Sequence, residues 1–61
     1  MENFSKVFSE RLREERKRIG RSQLAFGEAG GVGKLAQLNY EKGVRLPSAE
    51  YLHGISRIGV D

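Results

Sequence analysis

From Phe4 to Ile19 the apolar side chains stand at Phe4, Val7, Phe8, Leu12 and Ile19, so the steps Phe4 to Val7, Phe4 to Phe8, Phe8 to Leu12 and Leu12 to Ile19 span three, four, four and seven residues. Those steps align on one side of a helix of 3.6 residues per turn and would scatter over both faces of a strand. Elsewhere only Val44-Arg45-Leu46 alternates, and three residues are too few to pair as a strand. The expected class is therefore all-α. The longest apolar run is three residues, Leu24–Phe26, from which neither a membrane span nor the hydrophobic region of a signal peptide can be drawn. Apolar residues make up 38% of 61 positions, enough for one core and not for two, and with no cysteine that core must hold without a disulfide. The expectation is a single soluble, intracellular domain over residues 1–61.

The ends of the helices are marked by residue type. Arg16, Lys17 and Arg18 crowd the last turn of the first helix, where the dipole is negative, and Gly20 offers a left-handed stop, which puts that helix at about 4–19. Along it Glu10 precedes Arg13, and Glu14 precedes Lys17 and Arg18, by three or four residues, the spacing of helical ion pairs. Ser22 caps a second helix that carries Leu24, Ala25 and Phe26 and ends near Ala29 before Gly30-Gly31. A third runs from about Lys34 to Tyr40 or Glu41, with Gly33 at its cap and Gly43 at its exit. Ser48, after Pro47, caps a fourth at about 49–58, with Tyr51, Leu52, Ile55 and Ile58 as its apolar stripe.

Eleven Lys and Arg against eight Asp and Glu leave a net charge of +3 and a pI of about 9.7, a balance that favours a polyanionic partner. The single histidine, His53, and the lack of cysteine leave too few ligands for a first-row metal site and no base for a nucleophilic triad. An enzyme, a metal and any other cofactor are not expected. His53 reads as solvent-facing and Gly54 as structural or neutral.

Two short helices joined by Gly30-Gly31-Val32-Gly33 form a helix-turn-helix, in which the turn glycine lets the second helix cross the first steeply. Such a unit needs an apolar residue, a small residue where the helices touch, and a glycine at the turn. Phe26, Gly27 and Gly31 meet those needs, with Val32 and Tyr40 as further apolar positions. The run from Arg11 to Gly20, then Ser22-Gln23, Gly31-Val32, Asn39-Tyr40-Glu41-Lys42-Gly43 and Pro47, resembles the lambda-repressor/Cro (Xre) type of helix-turn-helix domain over about residues 8–61. The closing Tyr51-Leu52 and Gly59-Val60-Asp61 are similar to a phage-repressor-like branch in which a further short helix follows, and on that likeness the chain is the N-terminal part of a longer protein. Three positions depart from the family pattern. Gly33 stands where Ser or Thr usually caps, Gly30 where an apolar residue is usual, and Gln37 where an aliphatic side chain is usually buried. Gln37 is expected to be only partly buried, since an unpaired buried amide costs about 1–3 kcal/mol.

On a helical wheel Val32, Ala36 and Tyr40 share the face turned to the core, while Lys34, Leu35, Leu38 and Glu41 lie away from it. The resemblance implies that this outer face enters the major groove of double-stranded DNA, with Lys34, Leu35, Leu38 and Asn39 as base readers. Lys34 would donate to guanine, Asn39 would pair with adenine, and the leucines would meet thymine methyl groups. Arg21, Ser22, Gln23, Lys42 and Arg45 are the implied phosphate contacts, Ser22 and Gln23 through the backbone N–H groups that open the second helix. Leu35 and Leu38 fit an ordinary protein contact equally, Lys42 and Arg45 also read as solvated loop charges, and Arg16–Arg18 as a solvated helix face. The resemblance further implies an ion pair between Arg16 and Glu41 that braces the third helix against the first. It implies a cytoplasmic, bacterial or phage-encoded transcriptional regulator, repressor-like, acting as a homodimer on an inverted-repeat operator.

A reading of another class is a protein-interaction module, antitoxin-like or an adaptor, that keeps the fold and binds a protein through Leu35 and Leu38. A membrane-surface role for the first helix is weaker, because carboxylates on its polar face nearly match the apolar anchors in number.

Overall fold

The computed structural model describes residues 4–60 and contains α1 (Phe4–Ile19), α2 (Gln23–Ala29), α3 (Lys34–Lys42) and α4 (Ala49–Ser56), with no strand among the described residues. Asp61, quoted above with Gly59 and Val60, lies outside the described residues. The chain is all-α, and its helix ends follow local chemistry. Ser22 Oγ accepts from the Ala25 N–H at 3.1 Å and Ser48 Oγ from the Tyr51 N–H at 3.2 Å, whereas Gly33 precedes α3 with no side-chain cap.

One C-terminal motif closes three of the helices. After α1 the Gly20 N–H donates to Lys17 O and the Arg21 N–H to Arg16 O; after α2 Gly31 donates to Glu28 O and Val32 to Gly27 O; after α3 Gly43 donates to Tyr40 O and Val44 to Asn39 O. The paired bonds need a left-handed residue at the first position, and glycines occupy it with φ of 83°, 84° and 78°. The motif carries α3 to Lys42, slightly past the expected end. At α4 the structure corrects the expected end at 58. Donation from Arg57, Ile58 and Gly59 to carbonyls three residues back winds the chain into tighter turns after Ser56.

Leu12, Phe26, Tyr51 and Ile55 are the buried apolar core, with Phe8, Ile19, Val32, Tyr40, Ile58 and Val60 packed around it. The apolar stripe of α1 is covered only from Phe8 onward, because Phe4 and Val7 extend past the end of the core, 69% and 48% exposed. Gly27 is the close contact between α2 and α3: an added Cβ would stand 3.2 Å from Gln37 Cβ. Gly30 sits against the buried ring of Tyr51, and a side chain there would enter that ring. The space beside Gly30 is thus filled from α4.

Two further expectations are corrected. The guanidinium of Arg18 pairs with Glu15, at 2.8 and 3.1 Å, in place of Glu14, and also donates to Gly59 O at 2.7 Å, tying α1 to the end of the chain. Gln37 and Glu41 are buried, at 0% and 5% exposure, although a wheel drawn from hydropathy turns Glu41 outward and Gln37 was expected to be half-exposed. They are buried because each finds partners on other helices.

Candidate nucleic-acid interface

The inner side of α3 is polar and paired. Glu41 accepts at Oε2 from Arg16 Nε at 2.7 Å and from Gln37 Nε2 at 2.7 Å, and at Oε1 from Arg16 Nη2 at 3.1 Å and Gln23 Nε2 at 3.4 Å. The second terminal nitrogen of Arg16, Nη1, donates to Arg21 O at 3.1 Å. From α4 the Tyr51 hydroxyl donates to Gln37 Oε1, so residues of all four helices meet on two side chains of α3. Among the described residues no buried side-chain polar atom lacks a partner. Burial alone would raise the Glu41 pKa; the hydrogen bonds of Arg16, Gln37 and Gln23, with the charge of Arg16, outweigh it and hold the carboxyl below its ordinary value. Burial pushes the Tyr51 hydroxyl well above the usual tyrosine range, so it stays protonated and able to donate.

The outer side of α3 is built differently. Lys34, Leu35 and Lys42 are exposed, and Leu38 and Asn39 are half-buried. Leu35 and Asn39, one helical turn apart, line a groove completed by Arg45, Leu46 and Ser48 from the loop before α4. Lys34, Leu38 and Lys42 form the next row round the helix. Arg21, Ser22 and Arg45 are exposed. The side chain of Gln23 is half-buried and turned to Glu41, so of this residue only the backbone N–H that opens α2 is left for the phosphate contact assigned to it. Leu46, 53% exposed, joins this surface although hydropathy gave no reason to single it out.

The charge pattern follows from the burial of Glu41. Between Glu28 and Glu50 it is the one acidic residue, and it points inward onto Arg16, so the surface formed by α3 and its flanking turns carries Lys34, Lys42 and Arg45 with no carboxylate among them. His53 is exposed on α4. Gly54 is structural, since a Cβ there would press on Ala29 O and Gly30 Cα. Among the described residues no three His, Cys, Asp or Glu side chains are grouped to hold a metal ion, and no helix is long and apolar enough to cross a membrane. Comparison with protein-family models, curated proteins and solved structures found no match to this chain.

Proposed function

We propose that this chain is a sequence-specific DNA-binding domain of a repressor-like transcriptional regulator, with α2 and α3 as a helix-turn-helix of the lambda-repressor/Cro type. The observation that carries the reading is the carboxylate-free face of α3, made so by turning Glu41 inward onto Arg16. A helix that approaches a duplex must present donors without like charge to the phosphates, and this one does.

Lys34 leads at the N-terminal end of α3 and donates to guanine O6 or N7; Asn39 pairs with adenine; Leu35 and Leu38 meet thymine methyl groups. Arg21, Lys42 and Arg45 neutralise phosphates on either side of the groove, with Ser22 and the N–H of Gln23 at the start of α2. One reading helix covers only a few base pairs, so a homodimer on an inverted repeat, with half-sites about one helical turn apart, supplies the remaining specificity. Regulation is by occupancy of the operator.

Selection from a random duplex pool, followed by titration of the selected duplex at two salt concentrations, tests the reading. Affinity is expected to fall with salt, Arg45→Ala to reduce the salt slope by about 1, and Lys34→Ala to weaken binding and relax base preference at one position. Affinity indifferent to salt, or a Lys34→Ala variant unchanged in both respects, would refute it.

A second reading is favoured by one observation: Leu35 is 71% exposed and faces the same groove as Leu46. A protein-interaction module, antitoxin-like or an adaptor, would use that apolar pair. It is separated from the first by random duplex at low salt, which a DNA-binding face retains and a purely protein-binding one does not.

A further inference from the structure

Of the nine residues of α3, the two that are buried are Gln37 and Glu41; its apolar contribution to the core, Tyr40, is only half-buried. The close approach to α2 is at Gly27, which has no side chain to interlock with Gln37. A flat contact of this kind sets how close the helices come and leaves rotation of α3 about its own axis unspecified. Directional hydrogen bonds specify it, since they weaken steeply as the donor swings off line, while apolar contacts tolerate sliding. Side chains of a helix reach about 5–6 Å from its axis, so a roll of about 20° moves the outer row by about 2 Å. A recognition site must be held within about 0.5 Å and 10–20°.

Resting on the proposed DNA-reading role, we infer that Gln37 and Tyr51 are positioning residues that set the roll of α3 and thereby the base preference of its outer face. The Gln37 amide uses both ends: Nε2 donates to Glu41 at 2.7 Å, and Oε1 accepts from the Tyr51 hydroxyl. The ring of Tyr51 is in turn fixed on two sides. It lies edge-on to Tyr40, with centroids 4.9 Å apart, and it occupies the space above Gly30. The chain from Gly30 through Tyr51 and Gln37 to Glu41 thus locks α3 to α4 by direction as well as by distance. An apolar pair of the same shape would give comparable stability at this contact, because replacing both partners of a buried neutral hydrogen bond is nearly neutral. The polar pair contributes a single orientation.

The test is the double variant Gln37→Leu with Tyr51→Phe, which removes both partners together and leaves Glu41 its bonds from Arg16 and Gln23. The expected result is a helical, cooperatively melting protein whose ratio of affinity for the selected duplex over a random duplex falls about tenfold, the scale of one lost base contact, while random-duplex affinity and the salt slope stay as in the wild type. A double variant that discriminates like the wild type, or that loses selected and random binding equally, overturns the inference and leaves the DNA-binding reading standing. A wild-type chain that binds no duplex overturns both. Should the double variant fail to melt cooperatively, Tyr51→Phe alone, which deletes one oxygen atom, decides by the same ratio.

Discussion

Helices α3 and α4 lie one after the other in the chain and solve burial in opposite ways. In α4 the buried residues are Tyr51 and Ile55, and Glu50, His53 and Ser56 face outward, as amphipathic patterning requires, while Leu52, expected in the apolar stripe, is 41% exposed at its margin. In α3 the buried residues are Gln37 and Glu41, and Leu35 is 71% exposed. The difference shows that a buried face need only be satisfied. Arg16, Gln23 and Tyr51 supply enough donors for α3 to turn its carboxylate inward, and the outer surface is then free to carry cations and leucine.

The contrast predicts its own weak points. The largest effect is expected for Glu41→Ala, which leaves the Arg16 charge without its carboxylate, with only 14% of that side chain exposed, and removes the acceptor of Gln37 Nε2; it should destabilise the fold by about 3–5 kcal/mol in urea unfolding. A loss below about 1 kcal/mol would put the pair in the class of exposed ion pairs. Next comes Gly30→Ala, whose methyl group would enter the Tyr51 ring that α4 sends toward α3; it should cost about 1–3 kcal/mol on the same measurement.

A smaller effect is expected from acid. Glu41 has a folded pKa below its ordinary value of 4.5 and regains that value on unfolding. Its contribution is therefore complete above the unfolded value and is lost as pH falls through the lower folded one. The stability gap between wild type and Glu41→Gln should be constant near neutrality and narrow in acid; a gap that widens in acid would reverse the assigned direction. The smallest effect is expected for Leu35→Ala, within about 0.5 kcal/mol, since the side chain covers no core. A larger loss would mean that Leu35 is part of the packing, and the contrast between the two faces of α3 would fail.

Much of this architecture is legible along the chain. Ser22, Ser48, Gly20, Gly31 and Gly43 mark helix ends, and the pairing of Arg16 with Glu41 implied by the family resemblance is present at 2.7 Å. The candidate surface is legible in part. Lys34, Leu35, Lys42 and Arg45 are exposed where hydropathy and the resemblance put them; Gln23, assigned a contact through its backbone N–H, turns its side chain inward to Glu41, and Leu46 joins from a loop that carries no helical pattern. Arg18 chose Glu15 over Glu14 because Glu15 sits on the side of α1 that also brings Gly59 O within reach.

Local chemistry along the chain accounts for the set of helices and for the closures after α1, α2 and α3, because capping and left-handed closure are hydrogen bonds within three to five residues of backbone. The rotation of each helix about its axis is settled by packing between helices. Gln37 can be buried only because Tyr51 stands fourteen residues away in the chain with a proton to donate, and Glu41 only because Arg16 stands twenty-five residues before it. Burial of a polar group depends on partners that other helices bring, and hydropathy along one helix carries no record of them.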